Sequence, residues 1–454
     1  MLKRTAGQDQ EISRMSKFGE STVHARALSR RSLLRGSATA AVLAAAKTAF
    51  PYGAHVAHAA GPETKKAILG HIALTDSAPL IIAKEKGFFD KHGMPEVEVA
   101  KQASWGATRD NLVLGSEANG IDGAHILTPM PYLMTTGKVT QNSQPAPMYI
   151  LARLNSDAQA ISISKDYADL KIGIDSSPLK KAFDAKKAAG KDVKAAMTFP
   201  GGTHDLWIRY WLAAGGIDPD KDIQTIVVPP PQMVANMKVG SMDVFCVGEP
   251  WNAQLVNQGI GYTAVNTGEI WAKHPEKSLG MRAPWVDKNP GAAQALLMAV
   301  LEAQQWCDKA ENKEEMCKIL GTRAWFNVPV ADILPRSTGE IDYGLPGKLV
   351  KNSPHLMKFW RDNASFPYQS HDTWFLTEDI RWGKFEPGLD TKALVAKVNR
   401  SDLWRTAAKA LGVAAAEIPT TDSRGKETFF DGKVFDPEHP KAYLDSLTIK
   451  RVVT

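Results

Sequence analysis

The chain has 454 residues, 44% of them hydrophobic, enough to bury a full core and, at about 150 residues per domain, to form two or three units. Its formal charge of +6 is concentrated at the start: residues 1–60 hold nine Lys and Arg against Asp9, Glu11 and Glu20, and the remainder balances at 46 of each sign. A nucleic-acid partner, which would need basic residues clustered on the folded part, is therefore not expected.

The first 59 residues read as an export signal. Ser29-Arg30-Arg31-Ser32-Leu33-Leu34-Arg35 carries a twin-arginine core, a weakly apolar run follows from Gly36 to Phe50, and Ala57-His58-Ala59 forms a small-residue cleavage site. The apolar run is interrupted by Lys47 and falls short of the ~20 residues needed to span a membrane. A twin-arginine signal peptide over 1–59 and a periplasmic mature protein are expected, without a lipid anchor because no Cys lies near the cleavage site. Three buried free thiols are expected of Cys246, Cys307 and Cys317, with Cys307 and Cys317 the sequence-local pair should a disulfide form.

The mature chain opens on an apolar run of strand length at 66–74, ended by Thr75-Asp76-Ser77, then a helical pattern over 78–86 with Gly87 as its stop. Strand 97–100, helix 108–114, strand 123–127 and helix 130–136 repeat the pattern. Strands 148–153 and 160–164 lead toward a second lobe over 166–261, with strands at 172–174, 195–199, 225–228 and 243–247 and a helix at 232–239. The chain returns at 262–265. Residues 60–165 thus form the first part of lobe 1, and 262–454 its return plus a helical C-terminal extension that includes 291–308 and 394–411. Short apolar strands alternating with helices imply an α/β fold with mainly parallel sheets.

In open α/β sheets ligands bind beyond the carboxyl ends of the strands. The informative polar residues fall there: Thr75-Asp76, Ser104-Trp105, Gln159, Thr203-His204, Gly248-Glu249-Pro250-Trp251 and His274-Pro275-Glu276-Lys277. The stretch from Thr198 to Pro219 is central, because a glycine turn (Gly201, Gly202) runs into a helix start with Thr203 as expected N-cap. A helix start favours anions through its unpaired N–H groups and positive dipole end, and His204 adds a directed donor. An ordinary capped amphipathic helix reads equally well. Trp105 either packs on the core or aims its indole N–H at a ligand; Glu249 is expected to pair with Arg or Lys; Lys277, taken alone, reads as a solvated charge. No Gly-x-Ser-x-Gly elbow, Walker A, Cys-x-x-Cys or His-Glu-x-x-His occurs, so no catalytic constellation, cofactor or metal is expected.

Five stretches together resemble the nitrate/bicarbonate ABC-transporter binding-protein family. They are Thr198-Phe-Pro-Gly-Gly-Thr-His-Asp-Leu-Trp, Ser104-Trp-Gly-Ala-Thr-Arg-Asp-Asn, Val247-Gly-Glu-Pro-Trp, His274-Pro-Glu-Lys and Ser370-His-Asp-Thr-Trp-Phe-Leu-Thr-Glu-Asp-Ile-Arg-Trp. The resemblance implies a two-lobed periplasmic-binding-protein fold, type II-like, with mixed sheets flanked by helices and an anion held in the cleft. It implies ligand contacts from Trp105, Gln159, Thr203, His204 and Lys277, and from Gly248 and Glu249. Lys277 resembles the nitrate-binding branch, since bicarbonate-binding members look to have an acidic residue there beside a calcium ion. A trigonal oxyanion takes only donors, whereas bicarbonate also needs an acceptor for its hydroxyl. The expectation is a monomeric, non-enzymatic protein that captures nitrate or nitrite for an ABC permease and ATPase. A bicarbonate or cyanate binder, or a nitrate sensor docking on a regulatory partner, is the alternative.

Overall fold

The computed structural model describes residues 61–452, all within one compact unit, 55–454. The twin-arginine motif and its cleavage site lie outside the described residues.

Lobe 1 begins with β1 (Lys66–His71), α1 (Ala78–Glu85), β2 (Glu96–Lys101), α2 (Trp105–Leu114), β3 (Gly123–Leu127), α3 (Met130–Thr135) and β4 (Met148–Arg153). Lobe 2 follows as β5 (Gln159–Ser164), β6 (Lys194–Met197), α4 (Thr203–Ala214), β7 (Gln224–Val227), α5 (Met233–Lys238), β8 (Val244–Gly248), α6 (Trp251–Asn257) and β9 (Gly261–Asn266). The chain then recrosses, and β10 (Lys277–Arg282) re-enters the first sheet.

The two sheets share one plan. The first has the order β2-β1-β3-β10-β4 and the second β7-β6-β8-β5-β9, each with four strands running one way and one reversed. The reversed strand is in each case the one entered straight from the other lobe. β3, β4, β5, β8 and β9 are buried along their whole length, β3, β4 and β8 as mostly apolar runs and β5 with Gln159, Ser162 and Ser164 among its buried positions, while the edge strands β2 and β7 carry exposed positions.

Both crossings lie outside the boundaries expected at 165/166 and 261/262. They span 154–158 and 267–276, because β5 and β9 belong to the second sheet. The strand expected at 172–174 does not form. Lys171 turns the chain at φ 48°, Ile172 N–H is satisfied by Tyr262 Oη at 3.2 Å, and the carbonyl of Ile174 accepts from Trp211 Nε1 at 2.8 Å.

Beyond β10 come α7 (Pro290–Asp308), α8 (Gln369–Arg381), α9 (Thr391–Val398) and α10 (Ser401–Ala410). The single helix expected over 394–411 is two, because extended Asn399 gives its Nδ2 to Pro367 O and Asp372 Oδ2 while Arg400 N–H bonds Ile150 O. The C-terminal part also does more than extend lobe 1. Trp374, Phe375, Phe429, Phe435 and Tyr443 join the lobe 2 core, where Trp374 stacks on Trp207 of α4 at 5.1 Å. Asp372 of α8 pairs with Arg153, whose Nη1 donates to Ser278 Oγ at 2.7 Å, so the extension braces both crossing points. All three cysteines are buried and free.

Candidate binding site between the lobes

Majority strands end at the seam between the lobes and a reversed strand starts there, so the residue that follows each crossing is placed at the seam by topology. Gln159 opens β5 and Lys277 opens β10. Both are 0% exposed, as are Asp76, Trp105, His125, Thr203, His204 and Glu276, so the lobes are closed on these groups.

Lys277 is the hub. Its Nζ donates to Asp76 Oδ2 at 3.0 Å and to Glu276 Oε1 at 2.9 Å, and lies 3.5 Å from Gln159 Oε1 and 3.3 Å from His204 Nε2. Gln159 spans the seam: Nε2 donates to Asp76 Oδ2 at 3.2 Å, and Oε1 is 3.0 Å from His204 Nε2. His204 Nδ1 faces Thr198 Oγ1 at 2.6 Å, and His125 Nε2 donates to Asp76 Oδ1 at 2.5 Å.

The start of α4 is built differently from expectation. Gly202, with extended φ/ψ of −83° and 170°, is the N-cap, and Thr203 is the first helical residue with its hydroxyl donated to Glu276. Trp207 Nε1 donates to Glu276 Oε2 at 2.7 Å. The anion-favouring helix start is thus met by a carboxylate of the chain's own return segment.

At the end of β8, a Cβ on Gly248 would stand 2.4 Å from Gln159 Oε1 and 3.1 Å from Asp76 Oδ2, so glycine permits the close approach. The next residue joins the lobes through its backbone, Thr75 N–H donating to Glu249 O at 2.7 Å. Its side chain is committed elsewhere: Oε1 accepts from Arg336 Nη1 at 2.7 Å and Oε2 from Ala253 N–H at 3.1 Å. The cationic partner expected for Glu249 is present, but the carboxylate does not join the Lys277 network.

Trp105 is the first residue of α2, whose N-cap Ser104 accepts from Ala107 N–H at 3.1 Å. Its ring lies 5.2 Å from that of His125, and its indole Nε1 is buried without a hydrogen-bond partner. Thr75 Oγ1 and His125 Nδ1 are buried and unpartnered too. Roughly 90% or more of buried polar groups are satisfied in folded proteins, so three such atoms on the lobe 1 wall mark where a ligand's polar atoms would complete the site.

Burial works to lower the Lys277 pKa, but the Asp76 and Glu276 carboxylates outweigh it and hold the ammonium charged. Burial likewise works to raise both carboxyls, and Lys277 holds each below its ordinary value. The histidines go the other way. Burial and the Lys277 charge push His204 down to about 3, and burial lowers His125 and His274, leaving neutral rings. The expectation of a site lined only by donors is therefore incomplete: two carboxylates and one ammonium share the closed space. Among the described residues no group of three or more His, Cys, Asp or Glu is arranged to hold a metal.

The structure brings Trp105, Gln159, Thr203, His204, Gly248 and Lys277 to one place. It adds His125, and raises Asp76 and Glu276 from loop polar residues to central carboxylates. The signal for His125 was an ionisable side chain inside the apolar run 123–127, and that for Glu276 its position beside Lys277.

The sequence profile of the NMT1-like family matches residues 60–321, more than half of the chain. The nitrate/nitrite binding protein NrtA of Synechocystis sp. is 65% identical over 391 residues, covering 86% of each chain. The crystal structure of periplasmic nitrate-binding protein NrtA from Synechocystis PCC 6803 superposes with a TM-score of 0.84, covering 86% of this chain and all of that one. The bicarbonate-binding protein CmpA of Synechococcus elongatus is 47% identical over 86% of this chain and 88% of its own. The nitrate import ATP-binding protein NrtC of Synechocystis sp. is 36% identical over 84% of this chain and 55% of its own length. This chain belongs to the NMT1-like family, within the group that contains the NrtA nitrate/nitrite binding proteins.

Proposed function

We propose that this protein captures nitrate or nitrite between its lobes and delivers it to an ABC transporter, as a solute-binding component that makes and breaks no covalent bond. The observation that carries the reading is the convergence, in one closed space, of the Lys277 ammonium, the unpaired Trp105 indole N–H, the Gln159 amide and His204. These are the donors a planar oxyanion needs. The choice of nitrate or nitrite over bicarbonate is supported by the higher identity to NrtA, 65% against 47% for CmpA. The partners are a permease and an ATPase, and the similarity to NrtC fits an assembly in which the ATP-binding component carries a related lobe pair. The protein acts as a monomer in the periplasm, exported by the twin-arginine route through Arg30 and Arg31.

Titration calorimetry with nitrate, nitrite, bicarbonate with and without calcium, cyanate and a sulfonate tests the ligand: heat with nitrate or nitrite is expected, and binding of bicarbonate alone overturns the reading. Replacing both Arg30 and Arg31 by Lys is expected to leave unprocessed protein in the cytoplasm, read by fractionation; normal delivery removes the twin-arginine assignment.

A further inference from the structure

The closed seam carries two anionic side chains, Asp76 and Glu276, against one cation, Lys277, with its histidines neutral. A bound monovalent anion would bring this buried space to two net negative charges, which low-dielectric surroundings strongly disfavour. We propose that the anion is taken up together with one proton, and that His125 receives it. The proposal rests on the anion-capture reading above and concerns the same site.

His125 is singled out by geometry. Its Nε2 already donates to Asp76 Oδ1 at 2.5 Å, so an imidazolium gains a carboxylate partner. Its Nδ1 is buried and unpartnered beside Trp105, so the added proton creates a donor on the wall that carries the unpaired indole N–H. His204 is served less well, because its Nδ1 is occupied by Thr198 Oγ1 at 2.6 Å and its Nε2 stands 3.3 Å from the Lys277 ammonium, closer than the Glu276 Oε1 carboxylate oxygen at 3.5 Å. The charged or titratable groups acting on His125 are Asp76 from the turn after β1, Glu276 and Lys277 from the return segment, His71 at the end of β1, and His204 on α4. Burial keeps the ring neutral without the anion, and the anion's charge raises its proton affinity. Binding then takes up protons, and affinity falls as pH rises.

The test is calorimetry of nitrate binding in buffers of different ionisation heat, from pH 6.5 to 8.5, on the whole protein. Uptake near one proton per nitrate is expected, with affinity falling about tenfold per pH unit. His125→Gln, which keeps an amide donor for Asp76, should abolish the uptake and flatten the pH profile, while His204→Gln should keep the uptake at reduced affinity. Nitrate binding without proton uptake overturns the proposal and leaves the capture reading intact; no nitrate binding at any pH overturns the capture reading. Uptake that survives in His125→Gln, or is lost in His204→Gln, overturns the assignment to His125. If only one variant folds, its proton count decides.

Discussion

The two lobes are built on the same strand order with the reversed strand at the same place, yet they meet the seam with different chemistry. Lobe 1 contributes a charged and orphaned wall, Asp76, His125 and the unpaired Trp105 indole; lobe 2 contributes neutral polar groups, Gln159, Thr203 and His204, and the small Gly248. The cation that balances Asp76, Lys277, arrives on the return segment beside a second carboxylate, Glu276. Topology therefore decides where side chains meet and sequence decides what they do there. The residue that opens each reversed strand, Gln159 in one sheet and Lys277 in the other, reaches across to the opposite lobe's groups.

Lys277 tests that division most severely. Lys277→Glu sets a third carboxylate beside Asp76 and Glu276, and nitrate affinity should fall at least a hundredfold, about 2.7 kcal/mol, in calorimetry. Lys277→Met separates binding from folding. Removing the cation strands two buried carboxylates and should cost about 3–5 kcal/mol of stability at neutral pH, read from a denaturant midpoint. The pH dependence should also change sign. In the parent the carboxyls are held below their ordinary values, so their contribution is present at neutral pH and lost as pH falls. In Lys277→Met burial raises them, and the variant should gain stability on acidification. A midpoint equal to the parent's would remove Lys277 from the network.

On the lobe 2 side the expected effects are smaller because no buried charge is orphaned. His204→Ala should weaken nitrate binding by about 1.5–3 kcal/mol, the range for a hydrogen bond to a charged group. Binding within twofold of the parent would return His204 to a packing role. Gly248→Ala pushes a methyl against Gln159 Oε1 and Asp76 Oδ2 and should hold the lobes apart. Roughly tenfold weaker binding is expected, with a larger small-angle scattering radius at saturating nitrate; an unchanged radius would mean the seam absorbs the methyl.

Most of this was legible in the sequence, for a physical reason. Buried strands give apolar runs, so β1, β3, β4 and most of lobe 2 could be placed, and the loops at their carboxyl ends were the places to look for ligand contacts. What could not be read were features decided by contacts distant in sequence. Nothing local shows that 172–174 gives an N–H to Tyr262 Oη and accepts the indole N–H of Trp211 on a carbonyl, or that Asn399 splits a helix by bonding Asp372. The same applies to Glu276, whose partners Thr203 and Trp207 are about seventy positions away. Thr203 has the composition of a cap, but its hydroxyl is drawn to that carboxylate and Gly202 takes the cap position.

Glu249 gives the finest discrimination, because its sequence position groups it with the ligand contacts while its side chain does not face Lys277. Its carboxylate holds Arg336, whose Nη2 also donates to Thr263 Oγ1 and to Asp342 O, both at 2.8 Å. That pairing ties β8 and β9 to the C-terminal segment. The contact Glu249 makes across the seam is its backbone carbonyl on Thr75 N–H, which a side-chain substitution leaves in place. Glu249→Gln keeps an acceptor for the Arg336 guanidinium and removes the charge, so stability should fall by about 1.5–3 kcal/mol in denaturant titration. Nitrate affinity should stay within twofold, since neither carboxylate oxygen bonds Lys277, Gln159 or His204. A hundredfold loss of nitrate binding in a folded Glu249→Gln protein would instead place this carboxylate among the groups that meet the anion, and lobe 2 would then share the charged role that the closed seam assigns to Asp76 and the return segment.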